Sequence, residues 1–226
     1  MTAPHPLDRP IWHALNGRQA ALGEGGVLAR RFAPNINFFA AAADNGLAAQ
    51  AALSALVVPG GQIGLVEAAP PPLLPGTRVT LQTTLYQMLL DTPLPADDHA
   101  VDWIPLGQGD AADMLALAQL TRPGPFFART GLMGDFVGIR RGGTLIAMTG
   151  ERFKPDGFTE ISAVCTHPDW RGQGYGVALM RVILGRIRSR GETAFLHVYP
   201  DNPATALYRA LRFSVRREMI FTIVER

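Results

Sequence analysis

A strand-like run over Phe158–Thr166 leads through three glycines at alternate positions, Gly172, Gly174 and Gly176, into a helical run from Tyr175 to Arg190. On the helical side Gly176, Met180, Ile183, Leu184 and Ile187 recur at the spacing of one helix face. Arg186, Arg188 and Arg190 put cations where the helix dipole favours them, and Gly191 supplies a stop. A helix N-terminus presents N–H groups that have no intrahelical acceptor, together with a partial positive charge. Glycines in front of it let the backbone take positive φ and approach an anion closely. Arg171, Gly172, Gln173, Gly174, Tyr175 and Gly176 therefore read as a nest for phosphate oxygens, with Arg171 adding a charge-assisted contact.

Two familiar phosphate loops do not fit this passage. The P-loop ends in Gly-Lys-Ser/Thr, and the single lysine of the chain is Lys154. The dinucleotide fingerprint Gly-x-Gly-x-x-Gly requires a later third glycine, and Glu192 stands before the next strand, where an acidic partner should end one. A nicotinamide-dependent oxidoreductase stays as a distant rival.

The rest of the chain alternates between strand and helix patterns. Residues 135–140 and 144–153 read as a hairpin turned by Gly142 and Gly143, 193–199 as a strand, and 213–215 and 219–224 as two closing strands. Asn202 caps a helix with Pro203 at its first position and Ala204, Leu207, Tyr208 and Leu211 on one face. Upstream, 101–105 reads as a strand. Asp110 caps a helix whose apolar positions are Ala111, Met114, Leu115 and Ala118, and 121–134 is irregular with a short helix through Phe126 and Phe127. Proline-rich stretches at 70–76 and 91–98 read as loops or linkers. The second sets a boundary near residue 95. Before it, strands at 27–32, 62–67 and 78–90 and a helix at 47–57, opened by Asp44 or Asn45, make an α/β layer. The expected organisation is an N-terminal segment over 1–95 and a loop-bearing domain over 96–226.

Composition narrows the function classes. Of 226 residues 47% are hydrophobic and 18% charged, which suits a buried core rather than a disordered chain. The net charge is +2, and no basic run or basic-aromatic stripe marks a nucleic-acid footprint. Cys165 is the only cysteine, so an intrachain disulfide and a cysteine-rich metal site are excluded. No His-Glu-x-x-His spacing exists, and no metal is expected. Residues 1–10 lack a secretory pattern, and no apolar stretch reaches the ~20 residues of a membrane span. A soluble cytoplasmic protein, without nucleic-acid or membrane partners, is the expectation.

The run Val164-x-x-x-Pro168-x-x-Arg171-Gly172-x-Gly174-x-Gly176 resembles motif A of the GNAT superfamily of acyl-CoA N-acyltransferases. Downstream, Asn202, Ala206, Leu207, Tyr208, Leu211 and Phe213 resemble its motif B, with one departure: Arg212 stands where such families often carry glycine. The likeness covers residues 101–226, and that half is also similar to the acyl-CoA domain of glycine N-acyltransferase-like proteins. The resemblance implies an α/β (α+β) GNAT fold, a mixed, mostly antiparallel sheet with helices on both faces. Residues 1–95 are then a candidate degenerate half of the same fold, without a loop of its own. It also implies an N-acetyltransferase that uses acetyl-CoA as co-substrate and transfers the acetyl group to a primary amine by direct attack in a ternary complex. A longer acyl donor stays open, as do the acceptor and a homodimeric state. The rival from another class is a non-catalytic acyl-CoA-binding sensor or partner module, which would tolerate Glu160→Gln and Tyr208→Phe.

The same resemblance distributes roles, each beside a plainer alternative. Glu160 matches a glutamate base, its pKa raised by partial burial, or is an ordinary solvated or salt-bridged strand carboxylate. Strand alternation puts it on one face with Ser162 and Val164 and turns Cys165, read as a packing cysteine, away. Tyr208 matches the acid that protonates the departing thiolate, or is a packed tyrosine. Val164 and Thr166 offer main-chain groups to the pantetheine arm and thioester, and Asn202 either only caps its helix or also touches that arm. Phe126, Phe127, Arg129 and His197 are the candidates for the acceptor pocket.

Overall fold

The computed structural model describes residues 5–90, 92 and 101–226. The strands, in chain order, are β1 (Gly23–Gly25), β2 (Ala29–Phe32), β3 (Ala40–Ala42), β4 (Gln62–Glu67), β5 (Arg78–Leu90), β6 (Ile104–Leu106), β7 (Phe136–Arg141), β8 (Thr144–Glu151), β9 (Phe158–Thr166), β10 (Thr193–Val198) and β11 (Phe213–Glu225). The helices are α1 (Pro10–Asn16), α2 (Leu47–Ala55), α3 (Ala111–Thr121), α4 (Tyr175–Ser189) and α5 (Ala204–Ala210). Among these no helix is long and apolar enough to cross a membrane.

Strands β1, β2 and β3 make a small antiparallel sheet. The other eight make one sheet in the order β4-β11-β5-β10-β9-β8-β7-β6. Only β9 and β10 run parallel in it; every other neighbouring pair is antiparallel. Helices cover both faces, as expected. On one, α4 buries Leu179, Met180, Ile183, Leu184 and Ile187 against Val137, Ile146, Ile161 and Leu196. On the other, α1 packs Ile11 and Leu15 against Phe39, Phe153, Phe195 and Phe221, and α3 packs Met114 and Leu117 against Met148, Ala163 and Cys165. Gly142 and Gly143 turn the β7–β8 hairpin with φ of 56° and 84°, the left-handed pair that a tight two-residue turn needs.

The expected boundary near residue 95 lies outside the described residues. On either side of it the chain shares one sheet, because β5 lies between β10 and β11, and β4 pairs with β11.

Three local expectations are corrected. The closing strands at 213–215 and 219–224 are one strand, β11, with a bulge at Arg216: Val215 faces Met88 and Arg217 faces the next residue, Gln87. The extra residue reverses the alternation. Phe213 therefore joins the α4 side of the core, while Met219 and Phe221 join the α1 side. The short helix through Phe126 and Phe127 is absent. Pro123 and Pro125 remove donors there, and the only turn of helix is a 3-10 turn at Thr130–Met133. Thr130 Oγ1 holds that loop, accepting from the Phe127 amide at 2.8 Å and donating to the Ile36 carbonyl at 2.7 Å. The strand expected at 101–105 begins later, at Ile104, as the edge partner of β7.

Candidate active site

Strands β9 and β10 pair only from Phe158 to Glu160 and from Thr193 to Phe195. Beyond those residues they separate. The cause lies in β9, where Met148 faces Cys165 and Gly150 faces Ser162, so Ala163 and Val164 together oppose the single residue Thr149. Ala163 takes φ of 54° to accommodate this bulge. The expected alternation breaks here. Ile161 and Val164 both pack on the α4 side, and Ala163 and Cys165 both pack on the α3 side. Glu160, opposite its neighbour Ile161, does not share a face with Val164.

Two cavities open from the gap. One, of about 710 Å³, is lined by Cys165, Thr166, Trp170 and all of residues 171–177, and closed by Pro203 and Leu207. The other, of about 530 Å³, lies on the α1 side among Phe39, Val66, Leu85, Arg152, His197 and Phe221, with Arg122 and Tyr199. They share Thr121, Pro123, Val164, Asn202, Ala204 and Tyr208. Every described residue of the first cavity lies at Thr121 or later, whereas Phe39, Val66 and Leu85 bring the first ninety residues into the second.

The glycine loop fits a diphosphate. Gly172 and Gly174 both take φ of 77°, and a Cβ on either would meet nothing within 4 Å. The need for glycine is thus left-handed backbone beside open space. Gly174 is the N-cap of α4, and none of the amides of residues 172–177 reaches a backbone carbonyl among the described residues. Arg171 lies across the strand end, its Nε donating to the Thr166 carbonyl at 3.4 Å. Pro203, expected at the first helical position, is instead the N-cap of α5, and Asn202 stands one residue before it, its Oδ1 accepting from the Ala204 amide at 2.9 Å.

Tyr208 lies where the cavities join, its ring edge-on to Phe213 at 6.3 Å. Burial pushes its hydroxyl up to about 12, so it keeps its proton at neutral pH. Burial also pushes the Cys165 thiol up to about 11, which leaves little thiolate.

Glu160 lacks the raised pKa expected of a base and matches the plainer alternative, a salt-bridged strand carboxylate. Its side chain is 0% exposed. Oε1 accepts from Arg152 Nη2 and from His197 Nδ1, each at 2.7 Å, and Oε2 accepts from Arg152 Nε at 2.7 Å. Burial alone would raise its pKa, but the Arg152 charge and hydrogen bonds, with His197, hold it down to about 2. No carboxylate oxygen is left to face the cleft. It works instead as the anchor of Arg152 and His197.

The ring proton of His197 can be placed from its neighbours. Gln87 Oε1 accepts from Arg216 Nη1 at 2.8 Å, and Gln87 Nε2 donates to the Leu7 carbonyl at 2.8 Å, which fixes the amide. Gln87 Nε2 therefore also points its second N–H at His197 Nε2, 3.1 Å away, and the ring carries its proton on Nδ1 toward Glu160. His197 lines the second cavity, with both nitrogens held from behind.

The other acceptor-pocket candidates do not reach the cleft. Phe126 meets Phe136 edge-on at 5.9 Å and, with Arg129, lines a separate cavity of about 190 Å³ at the start of α3. Phe127 packs on Phe38 at 6.1 Å. Lining residues of the second cavity from the first ninety positions escaped the sequence reading. Phe39, Val66 and Leu85 look like any strand apolar residue. Gln87, which holds His197 from behind, left a trace as a polar residue between Leu85 and Leu89 on the inner face of β5.

Comparison with known proteins places the chain among relatives. The FR47-like protein family model matches residues 136–222. A protein from Novosphingobium aromaticivorans DSM 12444, assigned as an acetyltransferase from the GNAT family, is 40% identical over 99% of each chain, with a TM-score of 0.91. A GCN5-related N-acetyltransferase from Kribbella flavida shares the fold at 19% identity, over 93% of this chain and 91% of that one, with a TM-score of 0.63. A GCN5-related N-acetyltransferase-like protein from Streptococcus suis 89/1591 does so at 17%, over 96% and 92%, with a TM-score of 0.59. No curated protein matched.

Proposed function

Since this chain belongs to the GNAT family of acyl-CoA-dependent acetyltransferases, we propose that it moves an acetyl group from acetyl-CoA to a primary amine by direct attack, with both substrates held at once. The observation that carries this reading is the meeting of the two cavities at Val164, Asn202 and Tyr208, where β9 and β10 part. A donor on one side and an acceptor on the other would touch only there.

The chain's own groups have distinct tasks on this reading. Amides of Gly172, Gln173, Gly174, Tyr175 and Gly176, with Arg171, hold the diphosphate. The freed edge of β9 at Val164 and Thr166 takes the pantetheine arm as a strand would, and Asn202 borders that path. A main-chain N–H at the gap polarises the thioester carbonyl as charge develops. The amine nitrogen bonds to the carbonyl carbon, the carbon–sulfur bond breaks, and Tyr208 gives its proton to the sulfur. The amine's proton leaves to solvent, and solvent reprotonates Tyr208. Glu160 and His197 shape the cleft from behind. Residues 96–226 supply the coenzyme grip on this reading, and 1–95 add Phe39, Val66 and Leu85 to the acceptor wall.

The test is a thermal-shift comparison of acetyl-CoA with NAD, followed by thiol release on a panel of amines. A stabilising effect of acetyl-CoA, about 2.7 kcal/mol at 100 times its dissociation constant, together with amine-dependent thiol release, is the expected result. Stabilisation by NAD in its place would overturn the reading.

A further inference from the structure

The acceptor cavity has an unusual balance of charge. Its described lining contains Arg122, Arg152 and His197 but no aspartate or glutamate. Arg152 is neutralised from behind by the bidentate contact with Glu160. Arg122 is exposed and has no carboxylate partner among the described residues, so the described lining of the cavity carries one uncompensated positive charge. A second ammonium group on an acceptor would enter without a counter-ion, which is costly wherever water is excluded.

Arg122 is also held in a conformation that suits another residue. It is the C-cap of α3, with φ of 51° and ψ of 55°. That left-handed position is where helices commonly place glycine, and a side chain there is strained. Its neighbours Thr121 and Pro123 border both cavities. The strained backbone thus lies between two residues that border both cavities, and Arg122 itself is exposed and lines the second. Phe39, Val66, Leu85 and Phe221 give the same cavity an apolar lining.

We infer that the acceptor is an amine that also bears a carboxylate and an apolar body, with Arg122 holding the carboxylate at the cavity mouth and Phe39, Val66, Leu85 and Phe221 receiving the body. The inference rests on the acetyl-transfer reading above, and it names Arg122 as the residue that sets specificity. The guanidinium offers two parallel N–H groups to a carboxylate, a geometry that an ammonium lacks.

The experiment measures kcat/KM by thiol release for phenylalanine and leucine, for their decarboxylated counterparts phenethylamine and isoamylamine, and for spermidine. It uses the full chain and its Arg122→Gly and Arg122→Lys variants, and acetyl-CoA binding to each is measured separately by calorimetry. Glycine accepts the left-handed backbone, so Arg122→Gly removes the side chain without endangering the fold. The carboxylated amines should be preferred by about tenfold or more, the size of one charge-assisted contact. Arg122→Gly should abolish that preference, mainly through KM of the carboxylated amines; Arg122→Lys should keep part of it. The inference is overturned if spermidine or the decarboxylated amines are used equally well or better, if Arg122→Gly keeps the preference, or if acetyl-CoA binds and no carboxylated amine reacts. Absence of acetyl-CoA binding would instead remove the reading beneath it.

Discussion

His197 donates from Nδ1 to Glu160 Oε1 at 2.7 Å, and Arg152 grips the same carboxylate with two further hydrogen bonds. An acid in that setting is a structural counter-ion before it is a base. Glu160→Gln should therefore act first on stability. It leaves the Arg152 charge buried without its partner, and removal of one member of a buried pair costs about 3–5 kcal/mol. Urea or thermal unfolding of the variant checks this.

The same carboxylate predicts how stability depends on pH. Its folded pKa, about 2, lies below the ordinary 4.5. The unfolded state thus binds the proton more readily, and stability falls as pH drops. The contribution of Glu160, on the order of 3 kcal/mol, should be fully present above about pH 5 and be lost progressively toward pH 2. Unfolding curves across that window test it. The rate profile should show no acid limb from Glu160 near pH 4.5, because the group stays ionised through that range.

Tyr208 is expected to act on the chemical step alone. Its hydroxyl is raised to about 12 by burial, so it is protonated throughout the working range. Tyr208→Phe should lower kcat by about 10²-fold or more while acetyl-CoA binds as before. Steady-state thiol release with calorimetry of acetyl-CoA separates the two effects. An unchanged kcat would remove Tyr208 from the acid role, and coenzyme binding without thiol release from either protein would point to a binding module without turnover.

Cys165 lines the coenzyme cavity, but its thiol is pushed up to about 11. Thiolate is the reactive form, so direct transfer should not pass through it. Cys165→Ala should retain kcat within about twofold, since no step of the proposed transfer uses the thiol. Intact-mass spectrometry of the wild type with acetyl-CoA should show no acetylated protein.

Much of this was legible in the sequence where local chemistry decides the backbone. The strand at Phe158–Thr166, the glycines at positive φ and the amphipathic stripe of α4 lie where their residues demand. The strands at Gln62–Glu67 and Arg78–Leu90 were equally clear. What stayed hidden is tertiary. Neither bulge contains a glycine; Ala163 and Arg216 are displaced by the register of Thr149 and of Met88 and Gln87 on neighbouring strands. Those bulges decide which side chains face which cavity, so the expected face of Glu160, Ser162 and Val164 failed with them. The low pKa of Glu160 likewise depends on Arg152 across a turn and His197 on another strand.

The most direct test of the account needs no knowledge of the acceptor. Calorimetric titration of acetyl-CoA into the wild type and into a Gly172→Ala/Gly174→Ala variant probes the left-handed amides that should hold the diphosphate. Saturable binding to the wild type, weakened about tenfold or more in the variant by about 1–2 kcal/mol of backbone strain at each site and a disordered nest, is the predicted result. Equal affinity of the two proteins, or no saturable binding to the wild type, would contradict the account.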